Sequence, residues 1–225
     1  MKKLLILCAT LLLGLFSLVG CATNNFNLND YVIEQRENLF TASDELYNVS
    51  FSTGTREKDY NFDGVINEKV PFGVLTLSRN ENLPLANDTY TYLVTINNKT
   101  YTGFLEKANN NSYSADLEVN TMGDEYVNVQ ISFTGYTFNK DLTNVSSNFE
   151  VDSSLALNIA EKELNQNIKN LLKHNKIEVV MKLMKDYSSE ELKNYYWYIG
   201  IISTDGNTLG ILIDTNSGEI IAKKV

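Results

Sequence analysis

Residues 127–133 read VNVQISF, and this stretch indicates the fold class. Its apolar side chains alternate with polar ones, as in a β-strand that has one face in a core and the other in water. Further alternating or apolar runs occupy 47–52, 72–77, 90–96, 99–106 and 113–119. Short strands separated by turn residues such as Asn97 and Asn98 predict an antiparallel β-sandwich over residues 31–145, with an immunoglobulin-like arrangement as one form. A short leading helix is expected over residues 28–39.

The pattern changes after residue 145, where a polar linker leads to a helical segment. Asp152 is a good N-cap residue. An apolar stripe at helical spacing follows it, formed by Ala156, Ala160, Leu164, Ile168 and Leu171. Strand patterns then occupy 177–183, 195–202, 208–213 and 219–222, with a tight turn at 214–218 in which Gly218 suits a positive φ. This order predicts an α+β domain over residues 152–225, in which the helix packs on an antiparallel meander.

Three segments of this second part resemble the PepSY domain. They are SSLALNIAEKEL at 153–164, YYWYIGI at 195–201 and IDTNSGEII at 213–221. Asp214, Gly218 and Glu219 match the closing turn of that family, with Ser217 in place of threonine, and Trp197 matches its tryptophan-initiated strand. The resemblance covers about a third of the chain. It implies an exported bacterial protein with a non-catalytic domain that binds partners or inhibits peptidases.

The N-terminus predicts export and lipid attachment. Lys2 and Lys3 precede a nearly continuous apolar run over residues 4–16, as in a secretory signal peptide. The sequence LVGC at 18–21 resembles the bacterial lipobox, which implies that Cys21 carries fatty acyl chains such as palmitate and becomes the first residue after cleavage. Residues 1–20 are then the signal peptide and the Asn-rich residues 21–30 a tether. A plain signal peptide or an uncleaved anchor is the alternative.

The charge balance argues against nucleic-acid binding. The chain has 19 basic and 28 acidic residues, and loss of residues 1–20 removes only Lys2 and Lys3, which takes the net charge from −9 to −11. Such a surface repels phosphate backbones. The N-terminus alone places the expected protein on the extracytoplasmic face of the cell membrane, held there by its lipid.

A single stretch suggests a metal ligand set. Asp59, Asn61 and Asp63, followed by Gly64, have the spacing that opens a calcium-binding loop. The twelfth position, which should be a bidentate glutamate, is Val70. An Asp/Asn-rich turn is therefore the preferred interpretation, and no metal or cofactor is expected.

No catalytic set is visible. His174 follows the predicted helix beside two lysines and suits its dipole. Acid pairs at 124–125, 161/163 and 190–191 resemble solvated charges. The sequence therefore predicts a non-enzymatic surface lipoprotein that binds an envelope partner or restrains a peptidase. Two alternatives stay open: a carboxylate-dependent envelope hydrolase, and a carbohydrate-binding module that stacks sugars on strand tyrosines, namely Tyr90, Tyr92, Tyr101 and Tyr113.

Overall fold

The computed structural model describes residues 26–59, 61–79, 88–109, 111–119, 126–185 and 195–225. Within these ranges the chain forms twelve β-strands, one α-helix and two short 3-10 turns. The elements are β1 Val32–Ser43, β2 Tyr47–Glu57, β3 Lys69–Arg79, β4 Tyr90–Ile96, β5 Lys99–Asn109, β6 Ser112–Leu117, β7 Val127–Phe133, β8 Tyr136–Asn144, α1 Ser153–Leu172, β9 Ile177–Lys185, β10 Tyr195–Ser203, β11 Thr208–Asp214 and β12 Ile220–Lys224.

The first eight strands form a closed antiparallel barrel. Their order is β1-β2-β3-β6-β5-β4-β7-β8, and β8 returns to β1 through the pairs Phe40–Asn144 and Thr41–Thr143. The predicted β-sandwich, including its immunoglobulin-like form, is therefore wrong. Alternation along a strand shows that one face is buried, but it does not show whether a second sheet or the same sheet covers that face.

The barrel is filled by the apolar side chains that alternate along its strands. Strand β7 contributes Val127, Val129 and Ile131, which are buried with at most 1% exposure. The turn of the β4–β5 hairpin has positive φ at Asn97 and Asn98, as predicted. The strands predicted in this region are confirmed, although their sheet closes differently.

The last four strands extend the same sheet. β9 pairs in parallel with β1, from Val32–Val179 to Arg36–Lys182, and the order β12-β11-β10-β9-β1 continues into the barrel. The predicted helix-plus-meander α+β arrangement is therefore wrong, because β9–β12 are not a sheet of their own. A parallel pair between strands so distant in sequence leaves no local signal.

Helix α1 packs on one face of the extension. The Asp152 carboxylate accepts a hydrogen bond from the backbone N–H of Leu155 at 2.7 Å, so the predicted N-cap is confirmed. The buried helix side chains are Ala156, Leu157, Ala160, Leu164 and Ile168. They share a core with Leu28, Val32 and the inward side chains of β9–β11.

Strand β1 passes from one core to the other. Val32 packs in the core under α1, whereas Phe40 packs inside the barrel. A register shift between Arg36 and Asn38, which is a β-bulge, lies between these two residues, and Leu39 after the bulge still packs in the core under α1. The predicted helix over residues 28–39 is wrong: a 3-10 turn covers Leu28–Tyr31 and the rest is strand.

Candidate functional site

A groove of about 450 Å³ lies where the extension joins the barrel. Residues of β1, β2, β3 and β9 line it, together with residues at the β5–β6 turn. We call this concavity the basic groove. Its lining consists of Arg36, Leu39, Asn48, Ser50, Ser52, Thr76, Ser78, Arg79, Asn109, Asn111, Ser112, Lys182, Leu183, Met184 and Lys185.

Small polar side chains form one wall of the basic groove. They occur on the outer face of β2, β3 and β6 because the intervening residues of these strands fill the barrel. Cross-strand pairing aligns them in rows, with Asn48 opposite Ser78, Ser50 opposite Thr76, and Ser78 opposite Ser112. Hydroxyl and amide groups in such rows can donate hydrogen bonds to a ligand that carries several oxygen atoms.

Four cationic side chains line the same groove: Arg36, Arg79, Lys182 and Lys185. Among the described residues that line it, none is Asp or Glu. The chain as a whole carries a net charge of −9. A concavity lined by one sign of charge concentrates counter-ions, so the local chemistry of the groove favours an anion although the whole protein is acidic.

Arg36 is held in place by its neighbours. Its Nε lies 2.6 Å from Glu34 Oε1, and Glu34 is only 2% exposed. Its guanidinium carbon also lies 5.5 Å from the ring centroid of Phe72. A guanidinium has five N–H donors, so an ion pair through Nε leaves other donors for a ligand. The close approach of β1 and β2 at the bulge sets the position of Arg36, since Gly54 lies opposite it.

Lys182 lies beside Arg36 on the neighbouring strand. The two residues are partners in the β1–β9 pairing, and the Lys182 ammonium lies 5.4 Å from the ring centroid of Tyr198. Burial lowers the pKa of Lys182, the positive charge of Arg36 lowers it further, and Glu34 acts in the opposite direction. Two cations with one carboxylate between them leave excess positive charge, which a bound anion would neutralise.

The residues of the predicted calcium loop lie elsewhere, between β2 and β3. Asp63 accepts a hydrogen bond from the backbone N–H of Val65 at 2.9 Å, which makes a local turn, and Gly64 has a φ of +72°. Gly64 donates its N–H to the carboxylate of Glu178. The described residues contain no cluster of three or more His, Cys, Asp or Glu side chains able to hold a metal. Asp59 and Asn61 lie in the same irregular segment.

The other candidate side chains have structural contacts or lie outside the described residues. Cys21 and the acid pairs at 124–125 and 190–191 lie outside them. Glu161 accepts the backbone N–H of Leu28 at 2.8 Å, and Glu163 pairs with Lys223. His174 follows the end of α1, as expected.

The tyrosines named as possible sugar platforms pack against the barrel core. Tyr90 and Tyr113 are buried, with ring centroids 4.5 Å apart, so cross-strand packing is confirmed for this pair. Tyr92 and Tyr101 are half-buried and contact the same core.

The PepSY-like positions also have structural contacts. Trp197 is buried and donates from its indole nitrogen to the carbonyl of Val151 at 2.8 Å. Asp214 accepts hydrogen bonds from the backbone N–H groups of Asn216 and Ser217, and Gly218 has the predicted positive φ. These contacts close the turn before β12.

Sequence reasoning did not identify the basic groove, because its cations come from distant positions. Arg36 and Lys182 are 146 positions apart and meet only through the parallel pairing of β1 with β9. The available signal was the row of hydroxyl side chains on the outer face of the predicted strands, at Ser50 and Ser52.

None of the described helices is long and apolar enough to cross a membrane. Comparisons of the chain with protein-family models, with curated proteins and with solved structures found no match.

Proposed function

We propose that this protein is a non-catalytic binding protein of the bacterial cell envelope, attached to the membrane through Cys21, and that its basic groove binds an anionic ligand. One observation carries the binding part of this proposal: four cationic side chains line one groove that has no acidic lining residue among those described, in a chain with a net charge of −9. The location rests on the lipobox-like sequence at 18–21.

The chemistry of the groove favours phosphate or carboxylate groups. Arginine binds either of them through paired N–H donors, and lysine adds a mobile point charge. The hydroxyl row of Ser50 and Thr76 supplies neutral donors next to these charges. The acidic remainder of the surface repels long polyanions, so the expected ligand presents its charge on a small group that enters the groove.

Calorimetric titration with butyl phosphate tests this proposal. The lipidated chain is held in neutral phosphatidylcholine nanodiscs, and empty nanodiscs provide the reference. We expect the variant Lys182→Gln to bind about tenfold more weakly than the wild type, because it loses one charge-assisted contact. Lys169→Gln, a half-buried position of α1 that is absent from the groove, is the matched control and keeps the wild-type affinity.

Two results would contradict the binding proposal. One is the absence of measurable affinity for the anion at low salt, where electrostatic binding is strongest. The other is an equal loss of affinity in Lys182→Gln and Lys169→Gln, which would indicate non-specific attraction. The location has a separate test: Cys21→Ser is expected to abolish incorporation of labelled palmitate, and unchanged labelling would contradict the anchor.

A further inference from the structure

A second depression lies beside the basic groove, on the face of β9–β12 opposite to α1. Its volume is about 470 Å³, within the range of roughly 300–1,000 Å³ typical of small-ligand sites. Mostly apolar residues line it, and we call it the apolar trough. Its central residues are Tyr198, Gly200, Ile202, Gly210, Leu212 and Ala222.

The apolar trough is deep because two glycines at its base have no side chains. Gly200 and Gly210 are cross-strand partners on β10 and β11. A Cβ at Gly200 would lie 2.8 Å from the Tyr198 hydroxyl oxygen, and one at Gly210 would lie 3.8 Å from the tyrosine ring. The Tyr198 side chain therefore lies across this glycine pair instead of projecting away from the sheet. The result is an apolar strip bordered by Ile202 and Leu212.

The basic groove and the apolar trough form one continuous surface. Met184 lines both. Lys182 lines the groove, and its ammonium group lies 5.4 Å from the ring centroid of Tyr198, which lines the trough. Strand pairing places Arg36, Lys182 and Tyr198 side by side across β1, β9 and β10. Positive charge in the groove thus passes directly into apolar surface, and Lys223 and Lys224 of the edge strand β12 line the trough on the side away from the groove.

We infer that this surface binds a single-chain amphiphile with a phosphate head group, with the phosphate in the basic groove and the alkyl chain along the apolar trough. The inference rests on the proposed function and adds the apolar half of the ligand. The adjacent cations identify this occupant. The hydroxyl groups of a sugar would meet mostly apolar side chains in the trough, and a neutral chain would leave the positive charge of Arg36 and Lys182 only partly balanced by Glu34. Burial of each methylene group then adds affinity that the short anion lacks.

Photolabelling tests where the chain lies. Two probes carry the same twelve-carbon chain with a terminal diazirine; one has a phosphate head and the other a trimethylammonium head. Each is added to the lipidated protein in phosphatidylcholine nanodiscs, and the crosslinked peptides are mapped by mass spectrometry. We expect the phosphate probe to label peptides of β10–β12, at a level roughly tenfold above the cationic probe.

A blocking variant separates the two halves of the site. Gly210→Leu fills the trough, and its Cβ has only ordinary contacts at 3.8 and 4.0 Å, so the backbone has no reason to move. We expect it to lower labelling by the phosphate probe by about fivefold or more while the affinity for butyl phosphate stays at the wild-type value. Gly210→Ala, a smaller change at the same position, is the matched control and retains most labelling. Lys182→Gln is expected to lower both labelling and butyl phosphate binding.

The possible failures are distinguishable. If butyl phosphate binds but the phosphate probe does not label β10–β12, or if Gly210→Leu labels as the wild type does, the amphiphile inference is wrong and the anion groove stands. Equal labelling by the two head groups also overturns the inference, since it would show adsorption of the chain alone. If butyl phosphate does not bind, the proposed function and the inference fail together.

Discussion

Glu57 and Glu178 are two buried carboxylates on either side of the segment that follows β2. Glu57 is fully buried and accepts the backbone N–H of Asn67, whereas Glu178 is 2% exposed and accepts that of Gly64. The second carboxylate oxygen of each has no hydrogen-bond partner among the described residues. The two side chains thus fix the segment against β2 and β9. Burial raises the pKa of Glu178, and the negative charge of Glu57 raises it further.

The raised pKa of Glu178 predicts a pH-dependent effect of the substitution Glu178→Gln. At a pH between the ordinary value of 4.5 and the raised value, the folded state binds more protons than the unfolded state. The contribution of this group to stability is therefore fully present below pH 4.5 and is lost as the pH rises through the folded-state pKa. Glutamine keeps an oxygen that can accept the Gly64 N–H and carries no charge to desolvate.

We expect the difference in melting temperature between Glu178→Gln and the wild type to be more positive at pH 7 than at pH 4. Thermal denaturation followed by circular dichroism at both pH values measures this difference. Glu150→Gln, at an exposed position, is the control and should show little change with pH. A difference that is the same at both pH values would mean that the wild-type Glu178 carries no desolvation penalty.

The bulge in β1 is the element that joins the barrel to the extension. At this point β2 approaches so closely that a Cβ on Gly54 would lie 1.8 Å from the carbonyl oxygen of Gln35. No side chain fits there without movement of the backbone. Since Arg36 lies inside the same irregular stretch, the bulge also sets the position of that guanidinium in the basic groove.

Gly54→Ala is expected to lower both the stability and the anion affinity of the protein. Overpacking of this kind costs about 1–3 kcal/mol, and displacement of Arg36 should weaken butyl phosphate binding. Urea denaturation and calorimetric titration measure the two effects. Gly135→Ala is the matched control: its φ of +76° gives a conformational cost, but no atom lies within 4 Å of the added Cβ, and it is not in the groove. A smaller loss of stability in Gly54→Ala than in Gly135→Ala would contradict the close contact at the bulge.

At the element scale, local sequence patterns predicted most strands and the helix. They failed at β1, a single strand that contributes side chains to two cores. Asp152 and the apolar stripe after it are local signals, and both act as expected. The helix prediction over residues 28–39 was wrong at a place where apolar pairs in and next to the segment, Val32–Ile33 and Leu39–Phe40, are seven residues apart, which is also a helical spacing. In the structure Val32 and Phe40 belong to different cores on either side of the bulge.

At the scale of the whole molecule, two pairings of β1 decide the architecture, and neither could be predicted from the sequence. The pair Phe40–Asn144 closes the barrel and the pair Val32–Val179 attaches the extension, each across more than 100 positions. Strand patterns identify which residues face a core but not which strands become neighbours. The basic groove depends on the second of these pairings, so it could not be predicted either.

Because β1 contributes to both cores, we expect the barrel and the extension to unfold together. Trp197, the single tryptophan of the chain, is buried in the core under α1, so its fluorescence reports on that core alone. Phe51→Ala removes a fully buried ring from the barrel core, which does not include Trp197. Such a substitution typically costs about 3–5 kcal/mol.

If unfolding is cooperative, the urea midpoint of Trp197 fluorescence falls by the same amount as the midpoint measured by far-ultraviolet circular dichroism. Ser112→Ala, on the outer wall of the groove, is the control and should leave both midpoints nearly unchanged. A tryptophan midpoint that stays at the wild-type value in Phe51→Ala would show that the bulge in β1 separates two independent folding units.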